Sequence, residues 1–554
     1  MASSSISRCP HAVKNCRICK SNRGSVAARS GPKRVLDLSH GGGTHGADGQ
    51  LFDFDYMFES IVDDPDSHLP VSSNTVNALN DLGDSMVEPA ASDEPPNNSP
   101  IPPIYTYWGQ FVDHDLTANT DRDSAVSDIT KDDLQPLEPD YVKEYLKNLR
   151  QPSLNLDSVY GDGPFEQSYD VPYDGIKLKV GEVQTGRGIP GVMIPPIGDL
   201  FRDLPRRQED GAALIGDGRN DENLVVAQLH VAFLRFHNAA VDWVRKAHPE
   251  KEDEQVFVTA RNLTRWTYQW LVVHDFLKTV AIADVVDRVL ASEKNLLNMD
   301  QRGTYMPLEF SVASYRFGHS MVRGAYDWNR NFGRPGNAFR SIATFDQLFQ
   351  FTGKADPATR FGGGGTRLPF NWIAEWDRMV DKDSLFSNRF ARRIDTVLAP
   401  PLAELLNEGN DPNLAHFIKT LLKQLARRNL LRGYLLSLPT GQAVAKELGL
   451  DPLTEEELKK NTDKTNRALD KGGFVNKTPL WFYVLKESEV REQGNCLGEV
   501  GSHIVSETII GHIKHDLDSY LNQNDWTPDK GVRLQDGNPV SSIKDFLRFA
   551  GVLE

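Results

Sequence analysis

Residues 107–116 read YWGQFVDHDL, and the reading of this stretch decides the rest. Written as a helix, Gln110, Asp113 and His114 stand at i, i+3 and i+4 and share a face, while Asp115 is turned about 100° away. One face therefore presents an imidazole with an amide and a carboxylate, and a second carboxylate points elsewhere. A histidine beside two aspartates also suits a plain cap or salt bridge. With Trp108, Gly109 and Gln110 added, six residues are specified within eight, and a chance match per window is on the order of 10⁻⁸ at about 5% usage each.

Helical patterns dominate from residue 104 onward. In 223–247, Leu224, Ala227, Val231, Leu234 and Asn238 trace one side of a 3.6-residue period, broadened by Val225, Leu229, Ala232, Phe233 and Phe236. Segments 256–281, 305–322, 399–407, 414–437, 441–449, 478–491 and 497–521 also read as helical. IKLKV (176–180) is the clearest strand signal, and GRGIPG (186–191) and FGGGG (361–365) read as connections. No period of 20–50 residues repeats. The pattern predicts a large, mainly α-helical single domain over 51–554, with long functional loops and few short strands.

Composition excludes several functions. The chain has 554 residues, 62 basic and 77 acidic, for a formal charge of −15, which argues against nucleic acid as a partner. No run approaches the roughly 18 apolar residues of a membrane span, and the N-terminus lacks the apolar segment of a signal peptide. The expectation is a cytoplasmic or non-classically secreted protein. Residues 1–36 hold eight basic residues and no acidic one, so 1–50 reads as a flexible basic arm. Its Cys9, His11, Cys16 and Cys19 match the ligand types of a Cys3His zinc knot; unligated thiols or a local disulfide are the plainer readings. With four cysteines in all, the fold must rest on a hydrophobic core.

Three weaker motifs are set aside. GRGIPG fits a dinucleotide fingerprint, but Pro190 and the following VMIPP open no helix for a pyrophosphate. HGGG (40–43) has no GxSxG to accompany it and reads as a turn. His512 and His515, at i and i+3, lack a third ligand and read as surface histidines.

The YWGQFVDHDL stretch resembles the distal helix of the animal-type haem peroxidases of the peroxidase–cyclooxygenase superfamily, WGQ-x-x-DHD. Four further segments match: NLDSVYGDGP (155–164) the calcium loop, GDGRNDENL (216–224) the distal-arginine stretch, SYRFGHSMV (314–322) the proximal helix, and ARRNLLRG (426–433) the proximal Asn/Arg element. The similarity runs from about 50 to about 550, with wording closest to the bacterial members called peroxicins. It implies a helical fold around a buried haem b. Hydrogen peroxide would be the oxidant, and a halide, thiocyanate or small aromatic donor would be oxidised.

Residue by residue, the resemblance implies His319 as axial ligand of the haem iron, with Asn429 accepting from its other ring nitrogen. It implies His114 as the acid–base group, Arg219 as the fixed cation, and Gln110 holding a water or halide. Asp113 and Glu222 match carboxylates that are ester-linked to haem in mammalian members, and Arg316 and Arg432 suit haem propionates. Asn223 stands where the strongest chloride oxidiser has Met, which favours bromide, iodide or thiocyanate over chloride. For calcium, Asp115 with Gln151, Ser153, Asn155 and Asp157 fills the loop pattern, with Gln151 and Asn155 lowering the ligand charge.

Two rival functions remain in view. A fatty-acid oxygenase of the same superfamily places a radical-forming Tyr three residues before the proximal His, where this chain has Arg316; Tyr315 would point roughly 100° away on a helix. A non-enzymatic binding protein on the same fold would have little reason to keep His114, Arg219, His319 and Asn429 together.

Overall fold

A computed structural model describes residues 51–554 apart from 89–97, 119–127, 132, 166–170, 187–197, 334–341, 354–365, 407 and 409–413. The basic arm with Cys9, His11, Cys16 and Cys19, the HGGG turn, most of GRGIPG and the FGGGG connection lie outside the described residues.

The described chain is mainly helical. Helix α1 (Ser73–Ser85) is capped by Ser72, whose side chain accepts from the Thr75 amide. Helix α2 (Ile104–Leu116) carries the YWGQFVDHDL stretch and starts after two prolines, whose fixed φ leads the chain into the first turn. Helix α3 (Leu224–Ala247) is capped by Asn223 and α4 (Asp253–Leu271) by a Glu252/Gln255 capping box. The single turn α5 (Gly318–Met321) holds His319. Then follow α6 (Leu425–Leu435), α7 (Asp463–Gly472), α8 (Leu480–Arg491), α9 (Glu499–His515) and α10 (Ile543–Phe549).

Strands are few and short. β1 (Phe52–Asp55) pairs antiparallel with β2 (Lys147–Asn148); β3 (Tyr173–Asp174) and β4 (Lys177–Leu178) form a hairpin; β5 (Tyr305–Pro307) runs parallel to β1. The small β2–β1–β5 sheet is the frame that ties the site together. From β2, the Asn148 amide donates to the Leu116 carbonyl (2.9 Å) and accepts from the Ala118 amide (2.8 Å), fixing the C-terminal end of α2. Just beyond β5, buried Glu309 accepts the Met57 amide at 2.8 Å, fixing the entry to the His319 segment.

The back of α2 supplies its hold on the core. Trp108 sits among Phe233 of α3, Tyr268 of α4 and Phe546 of α10, with ring centroids 5.4–6.0 Å apart, and Phe111 stacks on Phe233 at 4.3 Å. At Gly109 the helix passes close to a ring: a Cβ there would meet Phe276 at 3.1 Å and require that ring to shift. A second close crossing occurs where Gly83 of α1 lies against Arg427 of α6, with 2.8 Å available to a Cβ. It seats the helix that carries Asn429 and Arg432.

Helix α3 is long and apolar enough to cross a bilayer by length and composition, which the absence of a long unbroken apolar run did not suggest. In this fold 83% of its most apolar window is buried inside the protein, as in a core helix.

Three expected helices are broken differently. The 305–322 segment is β5, then a π-turn (Glu309–Ala313), a 3-10 turn (Ser314–Phe317) and α5. Each change of winding rotates the residues that follow, so a regular helical wheel fails there. Within 399–407 the described residues hold a 3-10 turn, Pro400–Ala403, with prolines at its first two positions. The 414–437 stretch divides at Gln424, whose extended backbone separates His416–Lys423 from α6. IKLKV contributes only the two residues of β4.

Candidate functional site

A cavity of about 410 Å³ opens between α2 and the His319 segment. Gln110, Asp113, His114, Arg219 and Glu222 line it from what we term the distal wall, and Arg316, His319, Asn429 and Arg432 from the proximal wall. All nine were singled out from sequence. Arg428 also lines the cavity and was not anticipated.

The distal wall is a bonded assembly. His114 is 4% exposed, and its Nδ1 lies 2.8 Å from Asn220 Oδ1. Burial, with the positive charge of Arg219 second, lowers its basicity below that of a free imidazole. Arg219 and Asn220 share one 3-10 turn, Gly218–Asp221, capped by Asp217, whose carboxylate accepts the Arg219 amide at 2.9 Å. The same carboxylate grips the Arg219 guanidinium at 2.6 Å, and Arg219 Nη2 donates to the His114 carbonyl at 2.8 Å. Two guanidiniums hold Asp217 well below the ordinary carboxylate range: Arg219, and the fully buried Arg150 at 2.6 Å. Asn223 has two uses, capping α3 with Oδ1 and donating from Nδ2 to Gln110 Oε1 at 3.2 Å.

On the proximal wall, His319 Nδ1 meets the Asn429 amide at 2.9 Å. The end presented is Nδ2, so Asn429 donates here, the reverse of the expected direction. The two ends of a primary amide are nearly isosteric, and a half-turn exchanges them. Burial and the cations Arg316, Arg428 and Arg432 push the His319 imidazole down to about 3, so it is neutral. With Nδ1 accepting from Asn429 its proton lies on Nε2; the turned amide, accepting from Nδ1–H, would leave the lone pair on Nε2. Trp481 of α8 donates to the Arg316 carbonyl at 3.2 Å and braces this segment. Arg316 reaches Asp113 across the cavity at 3.9 Å, while Thr117 donates to Asp113 Oδ1 at 3.0 Å.

Tyr315 also lines this cavity and donates to the Gly109 carbonyl of α2 at 3.2 Å. The helical-wheel placement that turned it away fails because the segment is not a regular α-helix.

The 151–157 loop has some of the features that a hard cation would need. Asp115 is fully buried, Asp115 Oδ1 and Ser153 Oγ lack hydrogen-bond partners, and burial with the neighbouring Asp157 charge raises Asp115 to about 8. Leu154 and Leu156 take left-handed backbone conformations, φ 48° and 62°, which strains the loop. These features suit a hard cation. The other side chains are already engaged, Asn155 Nδ2 donating to Gln151 Oε1 at 3.5 Å. Gln151 is exposed, Asn155 Oδ1 accepts the Asp157 amide at 3.0 Å, and Asp157 pairs with Arg150 at 2.8 Å. Among the described residues no group of three or more His, Cys, Asp or Glu side chains is placed to hold a metal ion.

His512 is buried rather than superficial, since α9 packs inside the core; burial pushes its imidazole down to about 3. His515 is exposed, as expected, beside Asp300. A larger open groove of about 1420 Å³, lined in part by Arg202, Arg330, Glu375 and Arg378, shares no residue with the site. Its arginines are engaged: Arg202 with Asp199, Arg330 with Glu375, and Arg378 with Asp327.

Asp217 and Asn220 lie inside the GDGRNDENL stretch, and the Asp two residues before Arg219 was a legible turn cap. Arg150 and His230 carried no local signal, and Arg428 lies inside the ARRNLLRG stretch, directly before Asn429.

The sequence profile of the family described as animal haem peroxidase matches residues 173–360. A peroxidase-like protein of Margaritifera margaritifera is 25% identical over 349 residues, covering 56% of this chain and 40% of that protein. Dual oxidase 1 of Caenorhabditis elegans is 24% identical over 188 residues, 32% of this chain and 12% of the relative. The chain thus matches less than half the length of these curated relatives. Among solved structures, peroxidase A of Dictyostelium discoideum superimposes with a TM-score of 0.56 at 15% identity, covering 93% of this chain and 97% of that one. Fatty acid α-dioxygenase of Arabidopsis thaliana gives 0.51 at 14% identity, covering 92% and 77%. The profile match over residues 173–360 and the helical fold are what this chain shares with the animal haem peroxidases.

Proposed function

We propose that the chain is a haem peroxidase that reduces hydrogen peroxide and oxidises bromide, iodide, thiocyanate or small phenols. The observation that carries this reading is one cavity bounded by two neutral imidazoles in different settings, His114 beside a fixed guanidinium and His319 beside an amide.

The donor set suits haem b: an imidazole for the iron from His319, and the cations Arg316 and Arg432 for the propionates. Bound there, haem supplies the iron that takes peroxide and accepts its oxidising equivalents. The protein's own part is proton transfer and charge stabilisation. His114, protonated on Nδ1 toward Asn220, has its Nε2 lone pair free to take a proton from one peroxide oxygen and return it to the other. Arg219, locked by Asp217, places a permanent positive charge where the separating oxygens develop negative charge. Gln110, steadied by Asn223, holds a water or halide. Asp113 and Glu222 present the carboxylates for ester links to the haem. Asp115 and Ser153 offer oxygens to a calcium ion, with Asp157 shared between that role and Arg150.

Haem-loaded protein should show a Soret band that changes on adding peroxide and recovers with a halide or phenol. A protein that takes up no haem would sink the reading and favour the non-enzymatic alternative. Mass spectrometry of haem released after peroxide treatment reads out ester formation, and metal analysis before and after chelation reads out calcium.

A second reading, oxygenation of a fatty acid, draws on Tyr315, a buried phenol in the same cavity. Oxygen uptake with a fatty acid that is abolished by Tyr315→Phe would favour it.

A further inference from the structure

Behind His114, away from the cavity, two further buried side chains complete a chain of hydrogen bonds. Asn220 and His230 are both fully buried. Asn220 Oδ1 lies 2.8 Å from His114 Nδ1, and Asn220 Nδ2 lies 3.0 Å from His230 Nδ1. One amide thus bridges two imidazoles with both of its ends committed. The bridge is rigidly mounted. Asn220 sits in the 3-10 turn capped by Asp217, and His230 projects from the second turn of α3, whose cap, Asn223, lies three residues past Asn220.

We infer that Asn220 is a positioning residue that selects the tautomer of His114, and that His230 holds the Asn220 amide in the required orientation. The chemistry follows from which atoms donate. A carbonyl oxygen facing Nδ1 can only accept, so the ring proton of neutral His114 resides on Nδ1 and the Nε2 lone pair is left to act as a base. If the amide turned over, its N–H would face Nδ1, the ring proton would move to Nε2, and His114 could no longer take a proton from peroxide. The turned amide would also exchange its bond to His230, so His230 favours one orientation as long as its Nδ1 accepts. Burial pushes the His230 imidazole down to about 3, which keeps it neutral and able to accept. Arg219 precedes Asn220 directly, so a single turn sets both the cation and the base of the distal wall.

The inference deepens the peroxidase reading and rests on it. The test is stopped-flow mixing of haem-loaded protein with hydrogen peroxide and, separately, with cyanide, whose binding as an anion also requires a base to take its proton. Asn220→Leu keeps approximate volume but removes the acceptor; Asn220→Asp restores an acceptor facing His114. Asn220→Leu should slow both reactions by about 10–100-fold, as for loss of an outer partner of a site residue. Its Soret band and the rate of the donor step should stay unchanged, and Asn220→Asp should recover most of the loss. His230→Phe should give a smaller loss in the same two reactions. Wild-type rates in Asn220→Leu, equal losses in the Leu and Asp variants, or a slowing spread equally over the peroxide and donor steps would each overturn the inference. If Asn220→Leu takes up no haem, the same comparison is made between Asn220→Ala and Asn220→Asp. Failure of the wild-type protein to bind haem would instead count against the peroxidase reading itself.

Discussion

The distal wall of the cavity is one 13-residue helix and one capped turn, whereas the proximal wall reaches His319 through a π-turn, a 3-10 turn and a single turn of α-helix. The distal groups hold one another: His114 to Asn220, Arg219 to Asp217, Gln110 to Asn223. The proximal groups are held from outside, Glu309 by the amide after β1, Arg316 by Trp481 of α8, and His319 by Asn429 of α6. On the proposed function, the difference follows from the tasks. A base and a cation that act on a small oxidant must be aimed at one another's targets, and a short, self-bonded assembly does this with few degrees of freedom. A ligand to a large planar group needs a lone pair and a neutral ring, which burial among cations supplies.

If the walls divide the work in this way, substitutions should separate haem retention from peroxide chemistry. The largest effect belongs to the proximal wall: His319→Ala should abolish the Soret band of the wild type and all turnover, as read by absorbance after haem titration. On the distal wall, His114→Ala should keep haem bound while slowing the reaction with peroxide by about 10²–10⁴-fold, the usual contribution of a general acid–base group. Haem loss in that variant, or normal peroxide kinetics, would break the division.

Asp217→Ala should sit between the two walls in character. It removes the carboxylate partner of Arg219 and one of the two held by the fully buried Arg150, which keeps Asp157. Stability should therefore fall by less than the ~3–5 kcal/mol of a buried charge left wholly unpaired. Denaturant unfolding should show that loss, together with a slower peroxide step. A variant with altered stability but unchanged peroxide kinetics would show that Arg219 does not depend on Asp217 for its aim.

The smallest effect is a pH dependence common to the whole core. Burial lowers His230 and His512 to about 3 and His237 to about 4, from 6.5. The unfolded chain then binds more protons below 6.5, so these groups make stability fall as pH falls. Glu309 and Glu487 act oppositely: burial raises each from 4.5 to about 7, so the folded state holds the extra protons in that window and gains stability as pH drops through it. The two sets offset each other between 6.5 and 4.5; below that the histidines act alone until about 3.8, where the depressed Asp217 adds to the loss. Unfolding midpoints measured from pH 7 to 3 should therefore be nearly level at first and fall steeply below 4.5, at about 1.4 kcal/mol per pH unit for each such histidine. A steady decline starting at 6.5 would show that the buried carboxyls do not hold their protons.

The comparison also shows what was legible in the residues. On a regular helix, spacing fixes direction, so Gln110, Asp113 and His114 were correctly placed on one face from their numbers alone, and the structure puts that face on the cavity. The same reasoning misplaced Tyr315, because its segment winds as π and 3-10 turns rather than as an α-helix. Gln151 and Asn155 rest on the resemblance to the family's calcium loop; in the fold they meet each other, Asn155 Nδ2 donating to Gln151 Oε1 at 3.5 Å, because a loop's spacing does not fix where its side chains point.

By itself the sequence determined the helical class, the distal face and the identities of the residues that line both walls, since these depend on local periodicity and contiguous motifs. Only the tertiary structure decided the partnerships: Arg150 with Asp217, Asn220 between two imidazoles, Asn429 against His319 and Arg316 facing Asp113. Each joins residues whose proximity depends on how distant or differently wound segments pack. Hydrogen bonds and ion pairs act over a few ångströms, and no spacing along the chain encodes such a distance.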